Sequence, residues 1–237
     1  RKDASALDLA ARRLKLDGPA ALAAVQEDWR ILGRVAPEIR ADRRTVNVAV
    51  RQNGFALMYA SEDLKADRQV VQIACEQNWC SLKYAAQEVL ADRDFVLAAV
   101  RKEGRTLDYA SADLQRDRQV ALAAVKQDWR SLEFASPELK ADHEIVLCAL
   151  QQDSFALLHV GEELKADRRF VLSALALTKC VLQFAAPEFL GDRDFVLEAC
   201  RRNGFALQYA AEEFKGDREI VFAAVRQNGE GFSFASE

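Results

Sequence analysis

Aspartate recurs every 25 residues along this chain: Asp17, Asp42, Asp67, Asp92, Asp117, Asp142, Asp167, Asp192 and Asp217. Cutting one residue ahead of each gives eight full blocks over 16–215 without an insertion, after a half block at 1–15 and before an incomplete one at 216–237. Within the block, position nine is alanine from Ala24 to Ala224. Position 17 is leucine from Leu7 to Leu207, and Phe232 replaces it in the last copy. Position 23 is Asp or Glu in every full block. Composition alone does not hold four positions in register over so many copies. A unit this short cannot bury its own apolar face, so it folds by stacking on its neighbours.

Each fixed position has a physical role. The aspartate is a helix N-cap, accepting from the free amides of the first turn and complementing the positive end of the dipole. The segment after it, for example Arg93–Lys102, has apolar residues at block positions five, six, nine and ten, the spacing of one helical face. The alanine at position nine admits a close neighbour. The pairs Asn53-Gly54, Asn203-Gly204 and Asn228-Gly229 predict a glycine in the left-handed conformation closing that helix. A second short helix comes next, as in Ala56–Ala60. A one-turn element closes the block, with Pro37, Pro137 and Pro187 at its start, where a first helical turn tolerates them. The expected fold is all-α: a solenoid of about nine helix-turn-helix repeats of 25 residues, running as one array over 1–237 and forming an extended superhelix. Because the sequence starts and stops inside a block, the array is expected to be part of a longer one, or to have a partner over its ends.

The stretch Asp92–Leu114, DRDFVLAAVRKEGRTLDYASADL, resembles a tandem-repeat family catalogued only as a domain of unknown function. That family is common in protists and some bacteria, with the consensus D-x-x-V-V-L-A-A-V-x-x-N-G-x-A-L-x-Y-A-S-x-x-L. The resemblance covers essentially the whole chain. It implies an α-helical repeat with no established catalytic residue, used as a binding or scaffolding module. The sequence departs from the consensus at Trp29, Trp79 and Trp129, which replace the glycine, at Arg34 and His159 in the aromatic slot, and through residues 176–181.

Half of the 237 residues are apolar, which excludes intrinsic disorder. The longest apolar run, from Phe170, ends before Lys179, too short to span a membrane. A net charge of −4 gives no generally basic surface for nucleic acid. The five cysteines form no C-x-x-C pair and no metal-ligand spacing, so a reducing, intracellular compartment is expected and neither metal nor cofactor is. The family's distribution makes a plastid assembly at a membrane a conceivable setting. The chain begins at Arg1, so an address could have been removed already. His143 reads as a surface residue and His159 as a packed ring. No phosphate-binding loop, nucleophile elbow or zinc-helix motif occurs, so no enzymatic activity and no small-molecule substrate are expected.

Three features carry binding potential. An aromatic stands at one of two adjacent turn positions, in Trp29-Arg30, Gly54-Phe55, Trp79-Cys80, Trp129-Arg130, Ser154-Phe155 and Gly204-Phe205; it either plugs the seam between blocks or anchors a partner. The segment 176–181, with candidate contacts Leu177, Lys179, Cys180 and Val181, puts apolar residues where other blocks carry Arg, Gln, Asn and Gly, as a contact patch or as a rearranged turn. Arginine at position three, from Arg43 to Arg218, forms a ladder; the acids at position 23 neutralise it, or it follows a phosphate backbone. The function expected from these features is a protein-binding scaffold, a peripheral or accessory subunit of a larger assembly whose partners are other protein subunits. The alternative is an RNA-binding helical repeat using the arginine ladder.

Overall fold

The computed structural model describes residues 18–236, so the half block 1–15 and the capping Asp17 lie outside the described residues. The described chain is all-α. It forms two compact units, Arg1–Ala123 and Ala124–Glu237, divided inside the helix Arg118–Gln127.

The same module recurs in both units. A ten-residue α-helix such as Arg43–Gln52 is followed by a six-residue 3₁₀ helix, Gly54–Tyr59, and by a one-turn helix, Glu62–Lys65. In the second unit the corresponding elements are Arg193–Arg202, Gly204–Tyr209 and Glu212–Lys215. Asp42, Asp67, Asp92, Asp142, Asp167, Asp192 and Asp217 are extended, and their carboxylates accept from first-turn amides: Asp67 from Gln69 and Val70, Asp192 from Phe195.

The expected left-handed glycine is not how the first helix ends. Among the described residues no glycine has a positive φ. Instead Asn53 is extended, at φ −153° and ψ 118°, and its side chain accepts from the Phe55 amide, capping the start of the 3₁₀ helix. Asp28, Asn78, Asp128, Asp153, Asn203 and Asn228 do the same. Asparagine and aspartate are chosen for this cap. Gly54 and Gly204 have a different reason: a Cβ there would lie 2.4 Å from the Ala74 carbonyl oxygen and 2.5 Å from that of Ala224. The glycine makes room for the next module's helix, and the alanine at position nine makes room from the other side, as in Ala49, Ala149 and Ala224, all fully buried.

The seams are sealed three ways. First, the core runs through them: Leu57, Leu82 and Leu107 in the first unit, and Leu132, Leu157, Leu182 and Leu207 in the second, are buried to 2% exposure or less. Second, backbone bonds tie closing turns to the previous ones: Ser61, Ala86 and Ser111 donate to the carbonyls of Arg40, Lys65 and Leu90. Gly161, Ala186, Ala211 and Ser236 donate likewise to Lys140, Lys165, Leu190 and Lys215. Third, a glutamine clips successive modules. Gln52 donates to the Val25 carbonyl at 2.7 Å, and Gln77 accepts from the Gly54 amide at 2.8 Å. In the second unit Gln152 accepts from the Trp129 amide at 3.0 Å and Gln227 from the Gly204 amide at 2.6 Å. These bonds satisfy backbone groups that a helix end leaves without an internal partner.

Candidate interaction surface

With core and seams assigned, the side chains left at the surface can be taken in turn. The arginine ladder is occupied by the next module's cap. Arg43 pairs with Asp67, Arg68 with Asp92 at 3.2 Å and Arg93 with Asp117 at 2.7 Å. In the second unit Arg168 pairs with Asp192 and Arg193 with Asp217, both at 2.8 Å. The expected neutralising partners, the acids at position 23, instead sit exposed in the first turn of the closing helices, as Asp63, Glu163 and Glu213 do. The cap aspartate thus does two jobs. Hydrogen bonding from Arg93 holds the Asp117 carboxyl below the usual carboxylate range, and Arg193 does the same for Asp217.

His143 takes the arginine's place at one seam, 3.1 Å from the Asp167 carboxylate and edge-on to the Phe170 ring. His159 packs on Trp129 with ring centroids 6.3 Å apart. Burial raises the Cys75 thiol to about 11 and the Cys200 thiol to about 12, far from a reactive thiolate. Among the described residues no group of His, Cys, Asp or Glu is placed to hold a metal ion, and no helix is long and apolar enough to cross a membrane. A hollow beside Cys75, walled by Phe95, Ala98 and Lys102, holds only about 60 Å³. Wider depressions open to solvent lie beside Arg201 and Phe222, about 470 Å³, and beside Arg43 and Asn47, about 610 Å³.

The turn aromatics lie along the seams. Trp29 packs on Tyr59 at 6.3 Å between ring centroids, Trp79 on Tyr109 at 5.9 Å, and Phe55 meets Tyr84 edge-on. Each indole stays half-buried and carries a guanidinium over one face: Arg30 on Trp29, Arg105 on Trp79 and Arg130 on Trp129. Cation and ring are attracted through the ring quadrupole.

A family model described as a domain of unknown function, DUF4116, matches residues 20–65, 42–90, 92–140, 142–190 and 192–237. The chain belongs to this family. Each match spans about two of the 25-residue modules. The DUF4116 unit is therefore a pair of modules, the same interval of 50 residues that separates Trp29, Trp79 and Trp129. No curated protein and no solved structure matches the chain.

The most atypical place in this DUF4116 array is the module after Asp167. Its first helix stops at Ala174, after seven residues rather than ten. The turn beyond it is rearranged, yet Leu177 stays 42% exposed, next to exposed Ala176 and Lys179. Cys180 is half-buried. Val181 is a correction to the expected patch: at 2% exposure it belongs to the core, where position 16 of the module points inward as at Ala156 and Ala206. The same seam exposes two side chains that the sequence alone did not single out as a pair, Phe155 at 65% and Leu158 at 63%. Their signal was apolar residues three apart in a 3₁₀ turn, a spacing that places them on one line.

Proposed function

We propose that this chain is a non-enzymatic protein-binding scaffold, an accessory subunit of a larger assembly. One contrast carries the reading: seam positions are nearly fixed, whereas outward position 15 varies among Arg, Phe and Cys and position 18 takes seven residue types in eight modules. Positions 15 and 18 of successive modules read Arg30/Gly33, Phe55/Met58, Cys80/Lys83 and Arg105/Asp108. They continue as Arg130/Glu133, Phe155/Leu158, Cys180/Gln183 and Phe205/Gln208. A fixed frame carrying a changing row of side chains is how stacked repeats present a binding surface. The carboxylates at position two are engaged as caps and seam partners, and the two most buried thiols are held protonated, so neither set offers ready chemistry. Five free thiols fit a reducing compartment. RNA binding finds less support, since the arginines that would follow phosphates are committed to aspartates.

The test is lysine cross-linking with mass spectrometry on the protein in its native extract. Cross-links from the turn-edge lysines Lys83 and Lys179 to one recurring polypeptide are expected. Recovery without a protein partner, together with RNA that salt releases, would overturn the reading in favour of the alternative.

A further inference from the structure

We propose that Asn228 is a site of intramolecular deamidation, and that the glutamine clip keeps the other two Asn-Gly pairs, Asn53-Gly54 and Asn203-Gly204, from the same reaction. The inference goes beyond the protein-binding reading and does not depend on it.

The three pairs share one local structure. Asn53, Asn203 and Asn228 are extended, at φ −153°, −150° and −150° with ψ 118°, 110° and 119°, and each side-chain oxygen accepts from the amide two residues on. They differ at the glycine. The Gly54 amide donates to Gln77 Oε1 at 2.8 Å and the Gly204 amide to Gln227 Oε1 at 2.6 Å. Both glycines are buried against the next module's helix, where a Cβ would meet the carbonyl oxygen of Ala74 or Ala224. Gly229 is exposed, and its amide has no partner among the described residues. Nothing lies within 4 Å of where its Cβ would stand.

The reaction starts at that amide. The glycine nitrogen gives its proton to a solvent base and attacks the asparagine Cγ. A C–N bond forms, the Cγ–Nδ2 bond breaks, and the side-chain nitrogen leaves as ammonia after taking a proton from water. A water molecule then opens the cyclic imide at either carbonyl, giving aspartate or isoaspartate, and nothing is oxidised or reduced. The attack requires the planar peptide between the two residues to turn about the asparagine ψ until the glycine nitrogen meets Cγ. At all three sites this releases the side-chain cap and the first 3₁₀ bond, donated by Ala56, Ala206 or Gly231. At Asn53 and Asn203 it must also break the clip and lift the glycine out of a packed seam. The rate follows the population of such opened forms. Aspartate keeps the cap, as Asp28, Asp128 and Asp153 show at this position. Isoaspartate adds a methylene to the backbone and loses it.

The full chain is held in mildly alkaline buffer, and its tryptic peptides 52–65, 203–215 and 227–237, one for each pair, are followed by mass spectrometry. Asn228 is expected to convert at least about tenfold faster than Asn53 or Asn203, to a mixture of aspartate and isoaspartate. In urea, with the seams open, the three rates should converge. Gln77→Ala, which removes the clip, should speed Asn53 at least about threefold while Asn203 keeps its rate. Gln77→Glu retains an accepting oxygen and should retain the protection. Gly229→Ala, whose methyl meets no neighbour, should slow Asn228 at least about tenfold by crowding the attacking nitrogen. Gln77 is exposed at its helix end, and an unchanged melting curve verifies folding. If Gln77→Ala melts early, the order of the three natural sites decides alone. Similar rates at all three in the folded chain overturn the proposal, as does an Asn53 rate indifferent to Gln77→Ala in a folded variant. Rates that stay apart in urea overturn it too, because they would place the cause in the flanking residues rather than in the clip.

Discussion

Phe195→Ala is expected to destabilise the second unit by about 3–5 kcal/mol, the range for removing a fully buried aromatic. The Phe195 ring has no exposure. It stacks on Phe189 at 4.9 Å between centroids with a 22° interplanar angle, and the Arg168 guanidinium lies 5.3 Å from its centroid. Truncation opens a cavity and also removes the surface on which the preceding module's arginine rests. Stability in a stack is close to a sum of module and seam terms, so a loss of this size at one seam is a large share of the whole. Urea unfolding followed by circular dichroism measures it. A loss under about 1 kcal/mol would mean the ring is not part of a packed seam. Position five tolerates Thr45 in the first unit for a reason specific to that residue: its hydroxyl donates to the Asp42 carboxylate at 2.5 Å, so the buried polar group is satisfied.

Acid should unfold the array through its caps. The carboxyl groups of Asp42, Asp117, Asp167, Asp192 and Asp217 all lie below their ordinary value of 3.8. The side-chain hydrogen bond from Thr45 is the leading cause at Asp42. At Asp117 and Asp217 it is the bond from the previous module's arginine, and at Asp167 and Asp192 a first-turn amide. A carboxyl depressed by folding stabilises the native state above its unfolded value. That contribution is lost as pH falls through the native value. The melting temperature should therefore hold down to about pH 5 and then drop with each further unit of acidity, as the caps protonate over the same range. Asp117→Asn separates the two jobs. Asparagine caps about as well but cannot pair with Arg93, so this variant should lose part of the acid dependence while keeping its helix. Thermal melts between pH 7 and pH 2 decide it, and a melting temperature unchanged to pH 2 would contradict the dual role of the aspartates.

Much of this architecture was legible because each seam repeats the same chemistry. Asp92 as a cap, Arg93–Lys102 as a helix and Ala149 as a contact point can be read from residue type and spacing alone. The turn was harder to read. Asn53-Gly54 has the composition of a left-handed helix end, but the asparagine caps the 3₁₀ helix Gly54–Tyr59 and the glycine yields to the Ala74 carbonyl of the next module. A close approach across 20 residues leaves no local signature. The arginine ladder was visible, but its partner was not, because both the cap and the acid at position 23 recur with the same period. Only the stagger between modules brings Arg93 to Asp117. The glutamine clip passed unnoticed since Gln52 and Gln77 look like ordinary surface residues at a helix end. The patch at Phe155 is the hardest case. Its ring and that of Phe205 occupy the same slot, and whether each folds onto the next module depends on what covers the receiving ring.

Residue-resolved amide hydrogen exchange tests most directly whether every module is completed by its neighbour. The amides of Ser61, Ala86, Ser111, Gly161, Ala186 and Ala211 each have a single backbone partner, and it lies in the preceding module. Protection at all six approaching that of the buried helix amides near Val71 and Val196 is the expected result. Free exchange at those six, with protection confined to bonds inside each helix, would mean that the modules do not lock together and that the stack is not the folded state.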